Sequence, residues 1–218
     1  MNAIRLFNVS KKIKGRVVLQ NINLNLERGN IYGFAGHNGS GKTMLFRIIS
    51  GLVKPSSGTV EVFGDVLHKD VSFPGDISVL LEKPGFLEQY SAFDNLKFLA
   101  MIKNKISDSD IVAAMERVKL NPMDKRPVKE YSLGMKQRLA IAQCIMEQPQ
   151  LILLDEPMNG LDEEAVRHVY RIIKEENERG CTILLTSHNR LDIETLCDQV
   201  YSMNDGMIID VTNIARDE

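Results

Sequence analysis

Apolar residues are distributed in two textures along the 218-residue chain. The first thirty residues are β-rich. Ile4, Leu6 and Val9 fall in one segment and Val17-Val18-Leu19 in a second, while Ile22, Leu24 and Leu26 alternate with polar residues in a third. That alternation is the period-2 mark of a strand with one face buried. Ile31–Ala35, 151–154 and 182–185 are instead short apolar runs, as expected of central strands covered on both faces. Residues 59–63 and 77–81 are further strand candidates, and Asp205-Gly206 between 200–203 and 207–209 reads as a hairpin turn. Gly29-Asn30 is a turn, and Pro55-Ser56-Ser57-Gly58 breaks the chain. Helical segments are expected at 44–49, 93–102, 110–119, 135–147 and 163–179. In the last of these Val166, Val169, Tyr170 and Ile173 share a face, and Gly180 suits its stop. Asp94 and Ser109 or Asp110 are the expected N-caps of two of these helices.

Strands and crossover helices therefore alternate, except from about 90 to 147, where helix follows helix. Composition alters this picture little. Charged residues make up 26% and apolar ones 44%, which suits a globular chain with one sizeable core. Lys+Arg total 27 against Asp+Glu 29, so no overall basic field points to nucleic acid as partner. No apolar run reaches membrane-spanning length, and the N-terminus lacks the apolar core of a signal peptide. Cys144, Cys181 and Cys197 are odd in number and lack C-x-x-C spacing, which predicts reduced, buried thiols in a cytosolic protein.

The chemistry concentrates in four places. Gly36-His37-Asn38-Gly39-Ser40-Gly41-Lys42-Thr43 fits G-x-x-x-x-G-K-[ST], the loop that wraps a nucleotide's phosphates. Its glycines let successive N–H groups converge on one anion. Lys42 can reach the terminal phosphates and Thr43 can ligate Mg²⁺. With a strand before it and Met44 opening a helix after it, the phosphates would meet a helix N-terminus. Asp155 and Glu156 end the 151–154 strand, where two adjacent carboxylates are costly unless a cation or water sits beside them. Asp155 is the candidate Mg²⁺ holder, and Glu156 the candidate base for water. His188 follows the 182–185 strand on the same rim, where ligands of open α/β sheets bind. Finally, Tyr131-Ser132-Leu133-Gly134-Met135-Lys136-Gln137-Arg138 opens a helix and is a second anion-binding device. Two phosphate grips in one small domain make sense if one serves another subunit's nucleotide.

Taken together, these elements resemble an ATP-binding-cassette (ABC) ATPase subunit over nearly the whole chain. Residues 36–43 match the family's Walker A and 151–156 its Walker B. Residues 132–136 are similar to the LSGGQ-type signature, Asn159-Gly160-Leu161-Asp162 resembles the D-loop, and His188 matches the switch histidine. The resemblance implies an α/β P-loop NTPase with a mostly parallel central sheet, an N-terminal antiparallel β subdomain and a helical insert. It implies a single domain over 1–218, with a catalytic core at about 1–85 and 148–218 and a helical subdomain at about 86–147. ATP and Mg²⁺ are the implied cofactor and metal. Two cassettes, most simply identical, would dimerise head to tail, with Ser132 and Gly134 completing the partner's site. A separate transmembrane permease would carry the cargo, placing this chain on the cytoplasmic face of the membrane.

Two positions depart from the family pattern. Glu82 stands where a glutamine normally reaches Mg²⁺ and the attacking water; its carboxylate is still an oxygen ligand and joins Thr43 and Asp155 as a candidate. Glu82-Lys83-Pro84-Gly85-Phe86-Leu87 looks like the corresponding stretch of bacitracin- and lantibiotic-type ATPases, which favours export. Ile13 occupies the region where the family often stacks an aromatic on adenine. The alternatives are a non-transport ABC ATPase acting on a ribosome or nucleic-acid complex, and a P-loop kinase, which would leave Ser132–Arg138 without a task.

Overall fold

The computed structural model describes residues 1–81 and 85–214. The β-rich start forms two long strands, β1 (Asn2–Ile13) and β2 (Arg16–Glu27), paired antiparallel as a hairpin. The two segments expected at 17–19 and 22–26 are thus one strand. Register shifts near Val9 and Lys11 absorb the polar Gln20-Asn21 interruption that makes them look separate in sequence. With β4 (Ser57–Val62) and β5 (Asp65–Val66) they make a four-stranded antiparallel sheet, ordered β2-β1-β4-β5.

The second sheet holds β3 (Ile31–Ala35), β6 (Ile77–Leu80), β7 (Leu151–Asp155), β8 (Thr182–Thr186), β9 (Gln199–Asn204) and β10 (Met207–Asn213). Its order is β10-β9-β3-β8-β7-β6, parallel throughout except for the antiparallel β9–β10 hairpin. Every residue of β7 and β8 is buried, which accounts for their unbroken apolar runs.

Among the described residues there are six α-helices: α1 (Lys42–Ile49), α2 (Ala92–Lys103), α3 (Asp108–Arg117), α4 (Leu133–Ile145), α5 (Glu163–Glu178) and α6 (Arg190–Leu196). The caps of α2 and α3 differ from expectation. Ser91 and Ser107 hold those positions, while Asp94 and Asp110 sit three residues inside. Asp110 returns a bond to the Ser107 N–H at 2.8 Å, closing a capping box. The short α6, which no pattern announced, opens at Asn189, whose side chain accepts the Leu191 N–H at 3.0 Å.

Two apolar clusters sandwich the parallel sheet. One joins Leu96, Met115 and Leu139 from α2–α4 to Leu154, Ile173 and Leu185. The other joins Phe46 and Ile49 of α1 to Leu6, Leu26 and Leu153. The helical insert is therefore packed onto the sheet rather than around a core of its own. The three cysteines are buried and outside any disulfide, and burial pushes the Cys144 thiol up to about 12. Among the described residues no helix is long and apolar enough to cross a membrane.

Candidate functional site

The parallel strands β3, β7 and β8 deliver their carboxyl ends to one rim, and each carries its motif there. Gly41 precedes α1 with φ of +105°, and a Cβ on it would lie 2.7 Å from Leu19 Cδ2 and 3.2 Å from the Val18 carbonyl oxygen. Only glycine fits that turn and that approach. Lys42 is almost buried, and its ammonium donates to the carbonyls of Gly36 at 2.7 Å and His37 at 3.1 Å. The His37 ring bridges the Asn38 carbonyl and Asn204 Oδ1 at 2.7 and 2.9 Å. The β9–β10 turn braces the loop, since the Gly206 N–H donates to the Ser40 carbonyl at 3.0 Å. The fully buried Ser40 hydroxyl has no partner among the described residues.

Asp155 closes the other side. Its two oxygens accept the Thr43 and Thr186 hydroxyls, each at 2.6 Å. Thr186 also accepts the Glu156 N–H at 3.0 Å, so one hydroxyl fixes both carboxylate residues. Thr186 was not named from the sequence. Its signal was a polar residue ending an apolar strand, placed opposite Asp155 by the parallel β7–β8 register.

Glu156 leaves β7 with φ of +53°, which turns its side chain towards His188. The His188 N–H donates to Oε2 at 3.3 Å, and His188 Nε2 lies 3.0 Å from Oε1. Despite that proximity Oε1 accepts no hydrogen bond among the described residues. Burial raises the Glu156 carboxyl above its usual range, His188 pulls it back down, and neighbouring Asp155 raises it again. A carboxylate with Oε2 held by the His188 N–H and Oε1 desolvated beside the His188 ring can accept a proton from water.

Lys42, Thr43, Asp155, Glu156 and His188 line one cleft of about 720 Å³, together with Asn38, Gly39, Gly41 and Met44. Val18, Arg47, Glu88, Lys136 and Asn159 also line it. Ile13 is not in that lining: it ends β1 at the hairpin tip, 40% exposed, whereas Val18 of β2 faces the cleft. Ser132 and Gly134 lie elsewhere. They line a separate hollow of about 460 Å³ with Gly160, Asp162 and Arg138. Ser132 caps α4 through the Met135 N–H at 3.2 Å, and Gly160, with φ of +77°, would press a Cβ to 2.5 Å from Leu133 Cδ2. Gln137 ties the two regions together by donating to the Pro157 carbonyl at 2.8 Å. Glu82 lies outside the described residues.

The donor set suits Mg²⁺. Among the described residues no cluster of three His, Cys, Asp or Glu could cage a metal. Thr43 and Asp155 instead offer two adjacent oxygens, and Mg²⁺ habitually takes one or two protein oxygens, phosphate and water.

Comparison with known proteins agrees with this geometry. The ABC transporter family model matches residues 19–159. The uncharacterized ABC transporter ATP-binding protein YybJ of Bacillus subtilis is 48% identical over 94% of both chains. The lantibiotic transport ATP-binding protein SrtF of Streptococcus pyogenes is 36% identical over 94% of this chain and 89% of its own. The bacitracin transport ATP-binding protein BcrA of Enterococcus faecalis is 35% identical over 96% of this chain and 68% of its own. Among solved structures, the dimeric cassette MJ0796 superposes with a TM-score of 0.90 at 22% identity, covering 98% of this chain and 99% of that one. The Walker-type loop, the paired carboxylates and the matched residues lead to one conclusion: the chain belongs to the ABC transporter ATP-binding family and is an ATPase of that family.

Proposed function

We propose that this chain is the energy-supplying subunit of an exporter, working as a head-to-tail pair of identical cassettes on the cytoplasmic face of the membrane against a separate membrane-spanning subunit. The observation that carries the reading is the separation of the two phosphate grips: Ser132 and Gly134 line a different hollow from Lys42 and Glu156. Leu133 and Lys136 of the same stretch do line the nucleotide cleft, but Ser132 and Gly134 face away from it and are free to serve a second copy. The names of the bacitracin and lantibiotic relatives support transport of a peptide antibiotic or a related molecule, and the likeness of residues 82–87 to the corresponding stretch of such ATPases favours the outward direction.

In this reading Lys42 and the loop amides from Gly36 to Met44 hold the phosphates of ATP. Thr43 and Asp155 hold Mg²⁺, with Glu82 as a further oxygen donor; the bound ion would neutralise charge on the phosphate oxygens. Glu156 takes a proton from water as the water oxygen bonds the γ-phosphorus and the bond to the β–γ bridging oxygen breaks, giving ADP and phosphate. His188 holds Glu156 and contacts the γ-phosphate. The adenine rests on the β1–β2 hairpin against Val18, which lines the cleft where Ile13 does not. Residues 86–147 form the helical arm that meets the membrane subunit, and 1–85 with 148–218 the catalytic core.

Glu156→Gln tests the reading. Turnover should fall below detection while Mg-ATP still binds, and the variant should elute as a dimer with ATP and as a monomer without it. Normal turnover would end the base assignment, and a strictly monomeric ATP-bound variant would end the paired-cassette reading.

A further inference from the structure

His188 is anchored by more than Glu156. Ser187, immediately before it, is buried, and its hydroxyl has two tasks. It donates to Asp192 Oδ2 at 2.5 Å and accepts the Asn189 N–H at 3.0 Å. Asp192 is only 2% exposed, and its other oxygen accepts the Tyr170 hydroxyl in a short hydrogen bond. Asp192 lies in the first turn of α6 and Tyr170 in the middle of α5, the helix that begins at the end of the Asn159–Asp162 turn. One buried carboxylate thus joins α5, α6 and the turn that follows β8.

The arrangement is costly and specific. A carboxylate at this depth is unfavourable unless hydrogen-bonded, and both of its oxygens are engaged by neutral hydroxyls. Burial, and then the bond to Asp192, push the Tyr170 phenol far above its ordinary value, so it remains a donor at any pH suited to assay. His188 sits between Ser187, pinned through its side chain, and Asn189, pinned through its N–H. That leaves the backbone N–H of His188 aimed at Glu156 Oε2 and its ring beside Oε1.

We propose that Tyr170, Asp192 and Ser187 are positioning residues that fix the His188 turn against Glu156, and so set the rate of hydrolysis rather than nucleotide affinity. The inference rests on the roles given above to Glu156 and His188. None of the three lines the nucleotide cleft, and each acts through its neighbour.

The test is a double-mutant cycle on the full chain with Mg-ATP. Tyr170→Phe keeps the ring's packing and removes one donor; Asp192→Asn keeps the shape but presents an N–H to one of the two hydroxyls. Releasing the His188 turn should cost alignment at Glu156 worth about one hydrogen bond, so kcat should fall about 10-fold in Tyr170→Phe while equilibrium ATP affinity changes by less than about twofold. In a His188→Ala background the same substitution should cause no further loss, because both changes cut the same chain of contacts. Wild-type kcat in both Tyr170→Phe and Asp192→Asn would overturn the proposal. So would a loss confined to affinity, or losses that multiply in the double variant. Wild-type turnover in His188→Ala would instead overturn the role of His188, and the positioning of its turn along with it.

Discussion

Glu176 is the best-placed single residue for testing how the helical insert is tied to the sheet. It lies on α5, is 2% exposed, and receives two guanidinium groups. Arg117 of α3 donates to Oε1 at 2.7 Å, and Arg179 donates to Oε2 at 2.5 Å. Removing one partner of a buried pair costs about 3–5 kcal/mol. Here the cost should be lower. The two arginine side chains are 34% and 35% exposed and can recruit water. Arg117 keeps Glu175 at 2.9 Å, and Arg179 keeps the Gln148 and Pro149 carbonyls at 3.2 Å. A loss of about 2–3 kcal/mol for Glu176→Ala is therefore expected. At about 2.1 cal/mol/K per residue, the unfolding entropy of this chain is about 0.46 kcal/mol/K, which converts that loss to about 4–7 °C in Tm. Arg190→Ala is the control. Its pair with Glu194, at 2.6 Å, is 90% exposed on the arginine side. An exposed i,i+4 pair is worth about 0.3–0.5 kcal/mol, or about 1 °C. Scanning calorimetry of the nucleotide-free protein measures both. A Glu176→Ala midpoint within about 1 °C of the parent would refute the burial argument, as would equal shifts in the two variants.

Glu156→Gln carries a second expectation, on pH. Burial raises this carboxyl above its ordinary value of 4.5. A group raised on folding adds stability that is fully present below the unfolded value and lost as pH rises through the folded one. The Gln variant, uncharged at every pH, should therefore melt above the parent at pH 8 and alongside it at pH 4; a constant difference would show that desolvation is not the cause. Gly41→Ala forces a Cβ to 2.7 Å from Leu19 Cδ2 at φ of +105°. Left-handed strain of about 1–2 kcal/mol, with a displaced loop, should weaken ATP binding about tenfold or more by titration calorimetry. Unchanged affinity would mean that the loop amides do not hold the phosphates.

The sequence discloses the proposed reacting groups better than their supports, and the reason is range. Lys42 and Thr43 are readable because a phosphate loop needs a fixed local spacing. Asp155, Glu156 and His188 are readable because buried parallel strands leave their polar residues at one end. The two-face burial of β7 and β8 is equally local, since apolar residues occupy every position they can. The caps of α2 and α3 were misplaced because Ser91-Ala92-Phe93-Asp94 and Ser107-Asp108-Ser109-Asp110 each offer several acceptors, and only backbone geometry chooses among them.

Thr186 and Asp192 were invisible for a different reason. Thr186 matters because the β7–β8 register sets it opposite Asp155. Asp192 matters because α6 packs so that its carboxylate meets Tyr170, 22 residues earlier in the chain. Neither relation leaves a periodic trace. The location of Ser132 is the sharpest case, since its motif announces phosphate binding but says nothing about whose phosphate. The fold puts Ser132 with Gly160 and Lys42 with Glu156 in different hollows, and the proposed two-chain site rests on that separation. A short motif thus names an anion-binding turn but not which cleft it faces, and that is set by long-range packing.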